Sequence, residues 1–254
     1  MGLLSRLFYT GACIGVGWII GSKYAAPPVV LETTDRLVLT TKDKISKALE
    51  DVRSIEELAP EEIAKGDIPA VHVTETDEKL YDTYLATSLR LCRTSISNAP
   101  SANSENIVMQ YKPLVKVGGI DMAVMPVKNA CLSSGYGRRK GKLHKGVDYF
   151  SKAGGAIFAA ADGQIVEAEY RDDYGFTVLL NHGNGYFTRY AHLKEFSEGV
   201  KIGSAVPRGF KLGPMGQTAG YAIPKHLHFE VLKGDYDTPK KSFGLETVDI
   251  FDRL

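Results

Sequence analysis

His226-Leu227-His228-Phe229-Glu230-Val231-Leu232 alternates imidazole or carboxylate groups with large apolar side chains. A period of two marks a strand that buries one face, so Leu227 and Phe229 are expected in a core while His226, His228 and Glu230 share the opposite face. Two imidazoles on one sheet face can serve a single metal site, one as ligand and the other handling protons beside the bound water. Such a pair also arises by chance, and many histidines are ordinary hydrogen-bonded core groups. The strand alone therefore leaves both readings open. Glu230 has two readings as well, a group that orients a histidine or an exposed salt-bridge partner.

Further β-rich runs precede this one: Ile107–Val117, Ile157–Ala160, Gln164–Ala168, Phe176–Asn181 and Tyr186–His192. Turn formers separate them, including Gly154-Gly155, Asp162-Gly163 and Gly183-Asn184-Gly185. Short strands at this spacing predict a mainly β, antiparallel sandwich or barrel-like domain over residues 125–254, with no helix of consequence interrupting it.

The same region collects the ionisable chemistry. Of six histidines, all but His72 lie between 144 and 228. His144-Lys145-Gly146-Val147-Asp148 places a nitrogen and an oxygen donor four residues apart, and Gly146 allows a close approach before Val147–Phe150 settles into a strand. Two histidines, a carboxylate and a water form an established catalytic zinc set. Alone, the His144/Asp148 spacing is equally compatible with a surface pair. Tyr190-Ala191-His192-Leu193 ends another strand, and His192 alone suits a core or surface role.

Taken together, the three pieces resemble the lysostaphin/LytM-type metallo-endopeptidases over roughly residues 130–236. Ser134-Gly135-Tyr136-Gly137-Arg138 is similar to the segment before that family's first zinc ligand, and Gly155–Gly163 to its small-residue hairpin. Tyr174-Gly175 with Asn181-His182-Gly183 is similar to its next hairpin, and Val206–Thr218 to the glycine ladder before the paired histidines. Ala219 departs from the usual Gly after the Thr, and Glu198–Gly209 looks like a small insertion. The resemblance implies a LytM-type fold, Zn2+ held by His144, Asp148 and His228, and His192 and His226 as non-ligand catalytic histidines. It implies peptidoglycan peptide cross-links as substrate. His182 matches a family position without a catalytic role and is read as structural.

Composition narrows the remainder. The 254 residues carry 31 basic and 30 acidic groups, net +1, so no electrostatic footprint for nucleic acid is present. Three cysteines without a CxxC pair exclude a cysteine-rich zinc knuckle. Leu7–Gly21 is uncharged, but at ~1.5 Å per residue it spans roughly 22 Å against a hydrocarbon core of ~30 Å. A signal-peptide core fits that length equally well. Ala25-Ala26 followed by Pro27, with Tyr24 or Lys23 three residues before the cut, makes a poor cleavage site. Residues 1–26 are therefore expected to be a transmembrane signal-anchor that binds the lipid bilayer and leaves the catalytic domain periplasmic or extracytoplasmic.

Residues 27–124 are expected to form a mixed helical linker or regulatory region. It contains an amphipathic helix over 41–58, able to pack on the next domain or self-associate, and a second helix over 77–93. In an oxidising compartment Cys92 and Cys131 are the natural disulfide couple, with Cys13 held in the apolar run; two unpaired thiols are the alternative. The functional expectation is a membrane-anchored zinc endopeptidase of peptidoglycan from a bacterium or a bacteriophage. The alternative is a non-catalytic LytM-like domain that binds peptidoglycan or activates another hydrolase.

Overall fold

The computed structural model describes residues 85–237 and 239–253. The apolar run over 1–26, the helix expected over 41–58 with its proposed self-association, and His72 lie outside the described residues. Among the described residues no helix is long and apolar enough to cross a membrane.

Fourteen strands follow one another in the described chain. They are β1 (Leu114–Val117), β2 (Ile120–Ala123), β3 (Cys131–Ser134), β4 (Gly137–Arg139), β5 (Lys142–His144), β6 (Val147–Phe150) and β7 (Ala156–Phe158). Then come β8 (Gly163–Arg171), β9 (Gly175–Asn181), β10 (Tyr186–Leu193), β11 (Ala205–Val206), β12 (Lys211–Pro214), β13 (Leu227–Lys233) and β14 (Glu246–Val248). One antiparallel sheet of eight strands runs β11-β8-β9-β10-β13-β6-β3, with β14 also on β13. Three two-stranded pairs, β1-β2, β12-β7 and β4-β5, complete a mainly β fold. Only two short 3-10 turns, Lys241–Gly244 and Ile250–Arg253, break the pattern among the described residues.

Two expectations need correction. The helix over 77–93 does not exist in its described part: Arg90 bridges to Ile107 and Leu91 to Leu132. Leu89 and Leu91 are buried with exposed Arg90 between them, a period-two pattern. Leu85, Leu89 and Cys92 share a helical spacing, but burial against the sheet decides the conformation, as tertiary context commonly does against weak local propensity. Likewise, Ile107–Val117 is not one strand. Gln110 turns through a left-handed φ of 62° and Pro113 has no amide proton for a ladder, so pairing restarts only at Leu114.

The main core joins Leu89, Leu91, Val115, Val117 and Met122 to Tyr149, Tyr190, Leu227 and Phe229. It therefore continues through position 125 rather than starting there. A second cluster of Val166, Leu179, Phe187, Leu232, Tyr236 and Leu245 packs on the opposite face of the main sheet. In β13, Leu227, Phe229 and Val231 enter the first cluster while Leu232 enters the second. Covering both faces is what buries the polar residues of β10 and β13 beside the second cluster.

Candidate metal centre

Strand register assembles the site. Asp148 lies directly opposite His228 across the β6–β13 pair, where cross-strand partners share a face. His144 closes β5, two residues separate it from the start of β6, and Gly146 in that link lies against the β13 backbone: a Cβ there would overlap the Phe229 carbonyl. The close approach read from the sequence at Gly146 is thus present.

His144 Nε2, Asp148 Oδ1 and His228 Nδ1 converge. The separations are 3.0 Å from His144 to Asp148, 3.2 Å from His144 to His228 and 2.8 Å from His228 to Asp148. All three residues are buried and form a group able to hold a metal ion. Their remaining atoms have partners too. His144 Nδ1 donates to the Gly135 carbonyl at 2.7 Å, which leaves the Nε2 lone pair facing the centre. His228 Nε2 donates to Glu230 Oε1 at 3.1 Å, which leaves Nδ1 inward. Asp148 Oδ2 is turned toward Arg139 Nη2, 3.5 Å away, and Arg139 Nη1 donates to Ser134 Oγ at 2.9 Å. The tautomers are set by groups that can only accept, which is how buried ligand histidines are prepared for a cation.

His192 and His226 flank the three. Their ring centroids are 4.7 Å apart, and His226 Nε2 is 3.8 Å from Asp148 Oδ1. His192 occupies a bulge: the β9–β10 register shifts between Tyr190 and Leu193, and its φ is 63°. In a regular strand His192 would follow Tyr190 toward the core. The left-handed residue instead re-aims the ring into the cleft, a use of backbone strain seen at functional sites. Its Nδ1 donates to the Thr218 carbonyl at 2.8 Å, and His226 Nδ1 donates to the Pro224 carbonyl at 2.7 Å. Each therefore presents an unprotonated Nε2.

Charge follows from this wiring. Burial works against ionisation of Asp148, but the His144 and His228 imidazoles against its Oδ1 outweigh it and hold the carboxyl far below its ordinary range. Burial likewise opposes a charged His228, yet its bonds to Asp148 and Glu230 prevail and raise it to about 9. Two carboxylates that draw a proton so strongly also draw a cation. His192 is lowered to about 4 and His226 is lowered as well, in both cases chiefly by burial. Both are neutral near pH 7, as a proton acceptor must be.

Behind His228, Glu230 is fully buried, so its reading as an exposed salt-bridge partner fails. Glu230 Oε2 meets Arg189 Nη1 at 2.8 Å, and Tyr174 donates its hydroxyl to Glu230 Oε1 at 2.7 Å. Burial pushes the Tyr174 hydroxyl well up, so it stays a donor. Sequence reading overlooked Arg139, Tyr174 and Arg189 as site residues. An arginine inside an otherwise apolar strand was the available signal for Arg189, because a buried guanidinium needs a buried anion. His182 is not in the cleft. It is buried, with Nδ1 donating to the Asp162 carbonyl and Nε2 accepting from Thr188 Oγ1, both at 2.6 Å, as its structural reading requires.

The cleft over the histidines has a volume of about 610 Å³ and is bordered by Arg139, Leu143, Phe150, Tyr221 and Lys225. None of residues 85–124 lines it.

Residues 142–239 match the sequence profile of peptidase family M23. This chain carries a peptidase family M23 domain. The M23 domain is similar to the peptidoglycan DD-endopeptidase ShyC of Vibrio cholerae, 37% identical over 100 residues, which covers 39% of this chain and 22% of that protein. It is 34% identical over 145 residues to the DD-carboxypeptidase/endopeptidase Mpg of Neisseria meningitidis, covering 55% of this chain and 32% of that one. The chain thus spans between a fifth and a third of the length of these relatives. Among solved structures, the catalytic domain of lysostaphin from Staphylococcus simulans is 28% identical, covering 49% of this chain and 91% of that one at a TM-score of 0.41. All five histidine and aspartate positions singled out by sequence lie within the M23 match.

Proposed function

We propose that the chain is a zinc-dependent endopeptidase that cleaves peptide cross-links of bacterial peptidoglycan. The observation that carries this reading is the convergence of His144 Nε2, Asp148 Oδ1 and His228 Nδ1, each pre-oriented by a separate hydrogen bond. Two imidazole nitrogens and a carboxylate oxygen in a buried pocket suit Zn2+ with one position left for water. Bound zinc would supply Lewis acidity, lowering the pKa of a water and polarising the scissile carbonyl. The chain's own residues do the rest. His192 and His226, neutral and with Nε2 free, accept the proton of the attacking water and return it to the departing amine. Glu230 and Tyr174 keep His228 in its ligand tautomer, and Arg139 with Ser134 keeps Asp148 Oδ1 turned inward.

The DD-endopeptidase relatives favour a direct D-Ala to diamino-acid cross-link over a glycine bridge. All five ligand and proton-handling positions come together, so nothing here favours the non-catalytic alternative. Anchoring of residues 1–26 in a bilayer, with the catalytic domain outside the cytoplasm, belongs to the same proposal. The uncharged run Leu7–Gly21 and a disulfide between Cys92 and Cys131 support it, because such bonds persist in oxidising compartments.

The test is digestion of purified sacculi by the full chain, followed by mass spectrometry of the released muropeptides. Cross-linked dimers should be converted to monomers, and a chelator should stop the conversion until Zn2+ is restored. Unchanged dimers with zinc bound would leave a scaffold rather than an enzyme.

A further inference from the structure

Residues 89–98 lie outside the M23 match, yet they reach the candidate centre through the backbone. Leu91 bridges to Leu132, and the Cys92–Cys131 disulfide, with Cα atoms 5.0 Å apart, pins the segment to β3. Five residues past Cys92, the Ser97 carbonyl accepts from the Gly135 amide at 2.8 Å, and Asn98 Nδ2 donates to the Arg138 carbonyl at 3.2 Å. Asn98 has a left-handed φ of 55°, which folds the strap onto this loop. The contact is intimate: a Cβ at Gly135 would overlap the Asn98 carbonyl, so only glycine fits there. The carbonyl of the same residue, in the next peptide unit, faces the centre, since it takes the Nδ1 proton of His144 at 2.7 Å. Arg139, next after Arg138, holds both Ser134 and Asp148.

We propose that the disulfide-clamped strap Leu91–Asn98 positions the metal ligand His144 through Gly135, so that metal affinity depends on the Cys92–Cys131 bond. The inference rests on the reading of His144 as a ligand. Gly135 is held from outside by Ser97 and Asn98 and from inside by His144. Releasing the strap frees the loop to move, and the carbonyl that selects the ligand tautomer of His144 moves with it. Neither Cys92 nor Cys131 touches the three donor atoms, and the coupling runs along a single short chain of hydrogen bonds. A disulfide in this place makes the site respond to the redox state of its surroundings: assembled where thiols are oxidised, slack where they are reduced.

The test uses the full chain and Co2+, whose visible absorption reports both affinity and geometry. Four proteins are compared: wild type, the Cys92→Ser/Cys131→Ser double variant, Gly135→Ala, and Val166→Ala as a destabilised control in the second cluster. Serines remove the thiolates that would otherwise bind Co2+ themselves. Loss of an outer partner of a metal ligand typically costs roughly 10- to 100-fold in affinity. A loss of that size is expected in the double variant and in Gly135→Ala, together with an altered Co2+ spectrum. Val166→Ala should keep wild-type affinity at a lowered Tm. Wild-type affinity and spectrum in folded Gly135→Ala and in the folded double variant would overturn the inference alone. An equal loss in Val166→Ala would reduce it to general destabilisation and also overturn it. No Co2+ binding by wild type would overturn the ligand reading itself, and this inference with it.

Discussion

Arg189 and Glu230 are direct partners across the β10–β13 pair, joined at 2.8 Å with both side chains buried. Glu230 spends its other oxygen on His228 and Tyr174. The guanidinium also lies 4.6 Å from the centre of the Tyr174 ring and 4.0 Å from Glu167, so one buried cation serves two carboxylates and an aromatic face. Removing one member of a buried pair strands the other's charge, at a cost of about 3–5 kcal/mol. Arg189→Met should therefore lose stability of that order in urea unfolding, while Arg189→Met with Glu230→Leu should recover much of it.

Glu230→Gln keeps the shape of the side chain and alters what His228 Nε2 meets. A metal affinity lower by roughly 10- to 100-fold, measured by competition with a coloured chelator, is the expected outcome. Unchanged affinity would show that Glu230 serves only the Arg189 pair.

Ligands and proton-handling groups should separate on substitution. His228→Ala and Asp148→Ala are expected to lose bound metal and hydrolysis together. His192→Ala and His226→Ala should keep metal and lose hydrolysis by roughly 100-fold or more, the usual worth of a positioned acid or base. Metal content by mass spectrometry beside sacculus digestion decides it, and loss of metal in His192→Ala would reverse the assignment.

His182 predicts a pH dependence of stability away from the cleft. Burial lowers its pKa from 6.5 to about 4, so the unfolded chain binds this proton more readily than the folded one between those values. The contribution is complete above pH 6.5, falls as pH drops toward 4 and is lost below it. The window corresponds to roughly 3 kcal/mol. His182→Gln should flatten the slope of unfolding free energy between pH 6.5 and 4 relative to wild type, and an unchanged slope would refute the role.

The fold should not survive truncation at residue 125, because Leu89, Leu91, Val115, Val117 and Met122 belong to the main core. A fragment beginning at Leu85 is expected to unfold cooperatively, and one beginning at Met125 to show no sharp transition by calorimetry.

Much of the site was legible in the sequence because it is carried by local spacing. Alternation in His226–Leu232 put Leu227 and Phe229 in the core and His228 with Glu230 on the other face, which is where they lie. Gly146, between His144 and Asp148, marked a close approach of the chain that the structure contains. The cysteine pairing followed from having two candidates, and the Cys92–Cys131 bond is present. These features depend on residues within a few positions of one another, or on elimination among very few partners.

What only the tertiary structure decided depends on partners far apart in the chain. Leu85–Arg93 has a helical apolar spacing but is extended, because Leu132 and Ile107 supply its pairing. His192 leaves the core side of β10 only through a bulge that no local pattern announces. Arg189 finds Glu230 through strand register, and Gly135 finds Asn98 through a strap that closes over it. Local sequence sets what each segment can bury and which atoms it can offer. Which of those offers is taken is settled by the chain that packs against it, since a buried charge, carbonyl or imidazole is stable only beside the partner the whole fold delivers.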